Sequence, residues 1–242
     1  MKVPKVFYPQ IFKKTAMANI IEALKRPFMG VQSLLIGTIL VAVIIFASLN
    51  LPVGYEFGAV IALLIMYIFM LGYGLKCVTD KEESLPGWAP LLPLIKNGVF
   101  AVLIIFVGLF IQNVITAWYY PDLALLQSDL MAFAPLSILI AVLFLISLYF
   151  LPMSLVEFAN EDHFLSAFNK EVIAKSMTLH YLGSWVFVVF LQVLVSAVMY
   201  PFMDWALTGV WQLGVFTLLY GLLTMVSTVW SFTLLGQAWD EI

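Results

Sequence analysis

The densest cluster of reactive side chains in this sequence is Glu157, Glu161, Asp162 and His163, with His180 further along. Glu157 and Glu161 stand at i and i+4, so on a helix they share one face. Two carboxylates and an imidazole form a donor set that can hold a divalent cation. The same residue types at a water-facing helix end also make an ordinary solvated cap. A second set is polar but uncharged: Gln112, Asn113, Gln192 and Ser196, then Ser227, Thr228 and Ser231. Inside apolar segments such side chains either line a polar path or join helices through hydrogen bonds of about 1 kcal/mol. Catalytic signatures are missing. There is no His-Glu-x-x-His, no Gly-x-Ser-x-Gly elbow and no Walker loop. Cys77 is the sole cysteine, which excludes an internal disulfide and a cysteine-based zinc site. The residues assign no catalytic group, no cofactor and no metal ligand, and the chain reads as a non-enzyme.

The elements that must hold these residues are set by composition. Of the 242 residues, 64% are hydrophobic and 10% charged, where a soluble domain is about half apolar and a quarter charged. A chain this apolar cannot hide its surface in one aqueous core, so lipid is its expected solvent. A net charge of −3 provides no basic field for nucleic acid. Apolar runs matching a bilayer core of about 30 Å lie near 31–49, 58–76, 99–118, 135–157, 181–200 and 212–236. In lipid each must be helical, because an unpaired backbone group there costs several kcal/mol. Lysines ahead of the first run resemble a signal peptide. The run is nevertheless span-length and follows thirty residues of leader, so it is read as the first transmembrane helix. The predicted fold class is an all-α polytopic membrane bundle of six transmembrane helices, arranged as three hairpins.

Charge gives the orientation. All eleven basic residues (Lys2, Lys5, Lys13, Lys14, Lys25, Arg26, Lys76, Lys81, Lys96, Lys170 and Lys175) fall on the side of the N-terminus. The positive-inside bias makes that side cytoplasmic, together with both chain ends, in a multi-pass protein of the cell membrane. The other face keeps Glu56, Asp122, Asp129 and Asp204, among Tyr55, Trp118, Tyr119, Tyr120, Trp205 and Trp211. These rings, with Trp88, Trp185 and Trp239 toward the inner boundary, read as interfacial belts.

A short amphipathic segment precedes each odd-numbered span. Met17, Ile20, Leu24 and Phe28 share one face, with Asn19, Glu22, Lys25 and Arg26 turned away. Trp88, Leu91, Leu92 and Ile95 form the second, and Phe164, Leu165, Phe168 and Val172 the third, behind an Asp162 cap. These predict interfacial helices lying in the membrane plane. One membrane domain over 1–242 would then hold three parallel pseudo-repeats, at about 15–83, 86–162 and 163–242.

Two stretches carry a family resemblance. One is Gly72-Tyr73-Gly74, an acidic loop, Leu85-Pro86-Gly87-Trp88, and Lys96-Asn97-Gly98. The other is Phe158-Ala159-Asn160-Glu161-Asp162, leading to Ala167-Phe168 and then Tyr181. Together they resemble a family of prokaryotic multi-pass membrane proteins known as a domain of unknown function. That resemblance implies a fold and no reaction. The chain departs from the family pattern after Gly72-Tyr73, where Gly74 and Lys76 stand in place of Leu and Arg. On their own chemistry, Gly72 and Gly74 leave room for close helix packing. Pro86 stops a helix, and Trp88 anchors at headgroup level. Glu82-Glu83 is similar to the paired glutamates of prenyl-protein-type intramembrane proteases. Gly87 stands where that pattern has arginine, however, and the pair lies in a connector. Pro152 is expected to kink the fourth span, with neighbours re-satisfying the freed carbonyl.

The expected function is that of an accessory or structural subunit of a membrane complex. Its partners would be membrane lipids and other integral membrane subunits or further copies of itself. The alternative is a transporter or channel for a small solute or lipid, which would gather Gln112, Asn113 and Gln192 around one water-filled cavity.

Overall fold

Apolar runs separated by short polar connectors become helices in the computed structural model, which describes residues 16–50, 54–80, 82–119 and 130–240. They are α1 (Ala16–Lys25), α2 (Val31–Leu49), α3 (Glu56–Thr79), α4 (Leu91–Tyr119), α5 (Leu130–Glu161), α6 (Lys170–Ser176), α7 (Leu179–Met199), α8 (Met203–Ala206) and α9 (Val210–Asp240). Among the described residues there is no strand, and six helices are long and apolar enough to cross a membrane. Lys2, Lys5, Lys13, Lys14, Lys81, Tyr120, Asp122, Asp129 and the loop carrying the last three lie outside the described residues.

The last span is the centre. α9 packs on α2, α3, α5 and α7, while α4 packs on α3 and α5. Small residues bring backbones together at the crossings. A Cβ at Gly72 would overlap the Leu94 carbonyl, and one at Gly98 the Ile68 carbonyl, so α3 and α4 meet backbone to backbone. Gly74 lies under the Phe232 ring of α9, and Gly221 lies close to the Thr38 carbonyl of α2. The main core of Val41, Met70, Tyr73, Ile104, Met153, Phe158, Tyr181, Met225 and Val229 gathers around these crossings.

The three expected entry helices fare differently. α1 is separate, and its Ala23 packs with Leu191 and Leu234. In the second unit no separate helix forms. Leu91, Leu92 and Ile95 are the opening turns of α4 itself, and Pro93 is tolerated there because first-turn amides have no intrahelical acceptor. The third is a 3₁₀ turn, Phe164–Phe168, followed by α6. Asp162 does not cap it. It takes a left-handed backbone (φ 48°) that ends α5, with its amide bonded to the Phe158 carbonyl.

Two further expectations are corrected. Arg26 does not face away but is buried, because the chain leaves α1 at Lys25 and the turn Arg26–Met29, with Pro27 in it, swings the side chain inward. Trp88, read as a ring set among the headgroups, is 8% exposed, because it packs against Tyr73 inside the end of the bundle.

Candidate functional site

The end of the bundle that carries the basic residues is built around the C-terminus of α3, where the last carbonyls lack intrahelical donors. Arg26 supplies them. Its guanidinium donates to the Cys77 carbonyl at 2.7 Å, to the Asp80 carbonyl, and to Thr233 Oγ1 of α9 at 3.2 Å. A cation at a helix C-terminus also opposes the negative end of the helix dipole. Lys76 Nζ donates to the Gly87 and Ala89 carbonyls at 2.6 and 2.7 Å, and draws the following connector back over the helices. The tip of that connector is plugged in. Tyr73 stacks on Trp88 with centroids 4.3 Å apart, and the Tyr73 and Ser33 hydroxyls both donate to the Pro86 carbonyl. Trp88 Nε1 in turn donates to the Ser33 carbonyl at 2.8 Å.

Beside this plug lies a cavity of about 450 Å³ between α1, the end of α3 and the end of α9. Its wall includes Glu22, Lys25, Arg26, Asp80, Glu82, Glu83, Thr233, Gln237 and Asp240. Arg26 is 7% exposed, and its Nε–H has no hydrogen-bond partner among the described residues. A neighbouring groove of similar size, lined by Ile20, Phe187, Phe190 and Leu234 among others, also reaches Gln237.

In the carboxylate cluster Glu161, Asp162 and His163 are exposed, as a solvated helix end requires, and Glu157 alone departs from that reading. Glu157 is not a solvated cap: its side chain is 1% exposed and pairs with Lys175 Nζ at 3.1 Å. Lys175 also lies over the Trp239 ring. Asp162 pairs with Lys96 at 3.5 Å in the open, and among the described residues no three His, Cys, Asp or Glu converge on a metal position. One helical turn away, α5 runs on past Pro152. The proline has no N–H for the Leu148 carbonyl, and Trp185 Nε1 of α7 donates to that oxygen at 3.0 Å. The Tyr181 hydroxyl donates to the Tyr149 carbonyl, and the Tyr149 hydroxyl to the Ser176 carbonyl.

A protein family described as "Protein of unknown function (DUF4013)" matches residues 57–203, more than half of the chain. The chain belongs to that family. No curated protein and no solved structure matches it. The matched stretch takes in Tyr73, Trp88 and the Glu157–Lys175 pair. Arg26 and α9 lie beyond it.

In this DUF4013 chain the uncharged polar residues are separated. Gln192 and Ser196 stand one turn apart on an exposed face of α7, in an open groove with Val193, Ala197 and Tyr200. Gln192 Nε2 donates across to Ser231 of α9 at 3.3 Å. Gln112 and Asn113 belong to α4 and are not among the walls of that groove. Gly72 and Gly74 lie at helix crossings, as described above. Sequence reasoning missed Arg26, whose signal was its type: it is the one arginine among eleven bases, set directly before Pro27. It also missed the pairing of Glu157 with Lys175, which are eighteen residues apart and joined only by the fold.

Proposed function

We propose that this protein is an accessory or structural subunit of a complex in the cell membrane. Its termini and basic residues would lie on the cytoplasmic side, and it would have no catalytic step of its own. The observation that carries this reading is the exposed polar pair Gln192 and Ser196 on the otherwise apolar outer face of α7. Gln192 lies 13 residues along the helix from Leu179, about 20 Å at 1.5 Å per residue, well inside an apolar span. Lipid tails offer no hydrogen-bond partner to the groups Gln192 leaves over after Ser231, or to Ser196 beside it. A transmembrane helix of another membrane protein, bearing a hydroxyl or amide, would supply one, and Ala197 would let its backbone approach. The orientation rests on the one-sided distribution of lysine and arginine.

The test is gentle detergent extraction of the native protein, with mass spectrometry of what co-purifies. The reading expects a stoichiometric integral membrane partner that is retained by the wild type and lost from Gln192→Leu. Recovery of the protein alone, or only with its own copies, would sink it.

A further inference from the structure

The cavity around Arg26 shares no lining residue with the Gln192–Ser196 groove of α7. We propose that it binds the head group of a zwitterionic aminophospholipid, with the phosphate at Arg26 and Lys25 and the ammonium among the acidic residues. A fully engaged guanidinium would have served only as a helix cap. Here the side chain is buried, yet one of its donors, Nε–H, is left over in a residue that lines an empty space. A buried donor without an acceptor costs about 1–3 kcal/mol, so an acceptor brought by a ligand is favoured there. Arginine with lysine beside it is suited to phosphate oxygens.

The remainder of the wall chooses among phosphate-bearing ligands. Five carboxylates stand against those two cations. A ligand carrying only negative charge would meet more repulsion than attraction, and one carrying only positive charge would have to approach Arg26. A neutral dipolar group satisfies both sides. Among the described residues no three ligating side chains meet at a metal position, and a compact ammonium with three N–H donors needs no such convergence, since one or two of these carboxylates suffice to pair it. Gln237 Oε1 is buried with no partner among the described residues and can accept from that ammonium.

Position decides for a lipid. The cavity opens where α1 and α3 end, at the level where the spans meet the headgroups. Gln237 is shared with the apolar groove beside it, which follows α7 from Leu179 to Phe190, about 16 Å at 1.5 Å per residue. That groove has the character and length to take part of an acyl chain.

The experiment is native mass spectrometry of the purified full chain in detergent. The probes are phosphatidylethanolamine, phosphatidylglycerol and water-soluble glycerophosphoethanolamine, each at the same concentration. The expected result is a phosphatidylethanolamine adduct preferred about tenfold over phosphatidylglycerol, with the soluble head group retained no better than phosphatidylglycerol. Because Arg26→Gln removes a helix cap and risks misfolding, the deciding variant is Glu82→Gln/Glu83→Gln in the exposed connector. It should bring the two lipids to within about twofold of each other without changing the melting temperature of the lipid-free protein. Equal or better retention of phosphatidylglycerol by the wild type would overturn the proposal. So would a preference that survives in the connector variant, or glycerophosphoethanolamine binding as tightly as the lipid.

Discussion

The two halves of the bundle are packed to different standards. In α9, 44% of the most apolar stretch is buried, with 33% in α3 and 28% in α2. The corresponding stretches of α4, α5 and α7 reach 17% each. The inner three helices are held by close backbone crossings and by the Arg26 cap, and they bury a larger share of their surface, although α2 and α3 still expose an apolar face. The outer three rest on that scaffold through one side each and leave the other to lipid or to partners. In a membrane apolar exposure is no defect, because lipid tails are as apolar as leucine. The difference therefore separates positions that hold the fold from positions free to recognise something.

The sharpest way to break that division is to put the same side chain at a glycine in each half. Gly72→Leu on α3 forces a branched side chain into the Leu94 carbonyl at the α3–α4 crossing. It should cost about 3 kcal/mol or more and abolish the monodisperse peak in size-exclusion chromatography. A Cβ at Gly183 on α7 meets nothing within 4 Å among the described residues, so Gly183→Leu should leave thermal stability unchanged or raise it by up to about 0.8 kcal/mol. Equal loss in both would end the distinction.

Next in size is the buried ion pair. Glu157→Ala should cost about 2–3 kcal/mol, somewhat below a fully buried pair because Lys175 keeps 20% of its side chain exposed. Lys96→Ala, in the open pair with Asp162, should cost less than about 1 kcal/mol. Thermal unfolding of the two variants side by side checks the contrast. Tyr73→Phe removes one of two donors to the Pro86 carbonyl and keeps the stack on Trp88, so about 1 kcal/mol is expected from the same measurement. The smallest stability effect belongs to Gln192→Leu, about 0.6 kcal/mol for one interhelical bond, although co-extraction of a partner should fall away.

The span count and the all-helical architecture were legible because the requirement for some twenty apolar residues per crossing acts on each segment by itself. The same local reasoning read Arg26 as outward, since helical periodicity assigns a face only while the helix continues, and this one stops at Lys25. Trp88 was placed at the interface by its type, but its partner Tyr73 comes from another element. Glu157 likewise looked solvated until α6 brought Lys175 over it. At the candidate surfaces the polar residues themselves were visible, including Gln192 and Ser196. Which of them share a wall depends on helix rotation, and near-uniformly apolar sequence carries no record of that.

The bond from Trp185 to the oxygen that Pro152 leaves free ties the two residues into one unit of change. With the proline present, Trp185→Phe orphans a carbonyl and should cost about 1–3 kcal/mol. In a Pro152→Ala background the chain's own amide can reach that oxygen, and the same indole removal should cost much less. A double-mutant cycle on thermal stability would then return a clear coupling energy between two residues of different spans. The coupling has a sequel in descent: a lineage that loses the proline releases the tryptophan from its constraint, while one that loses the tryptophan first passes through a weaker protein. Substitution at these two positions thus has a preferred order, proline before tryptophan.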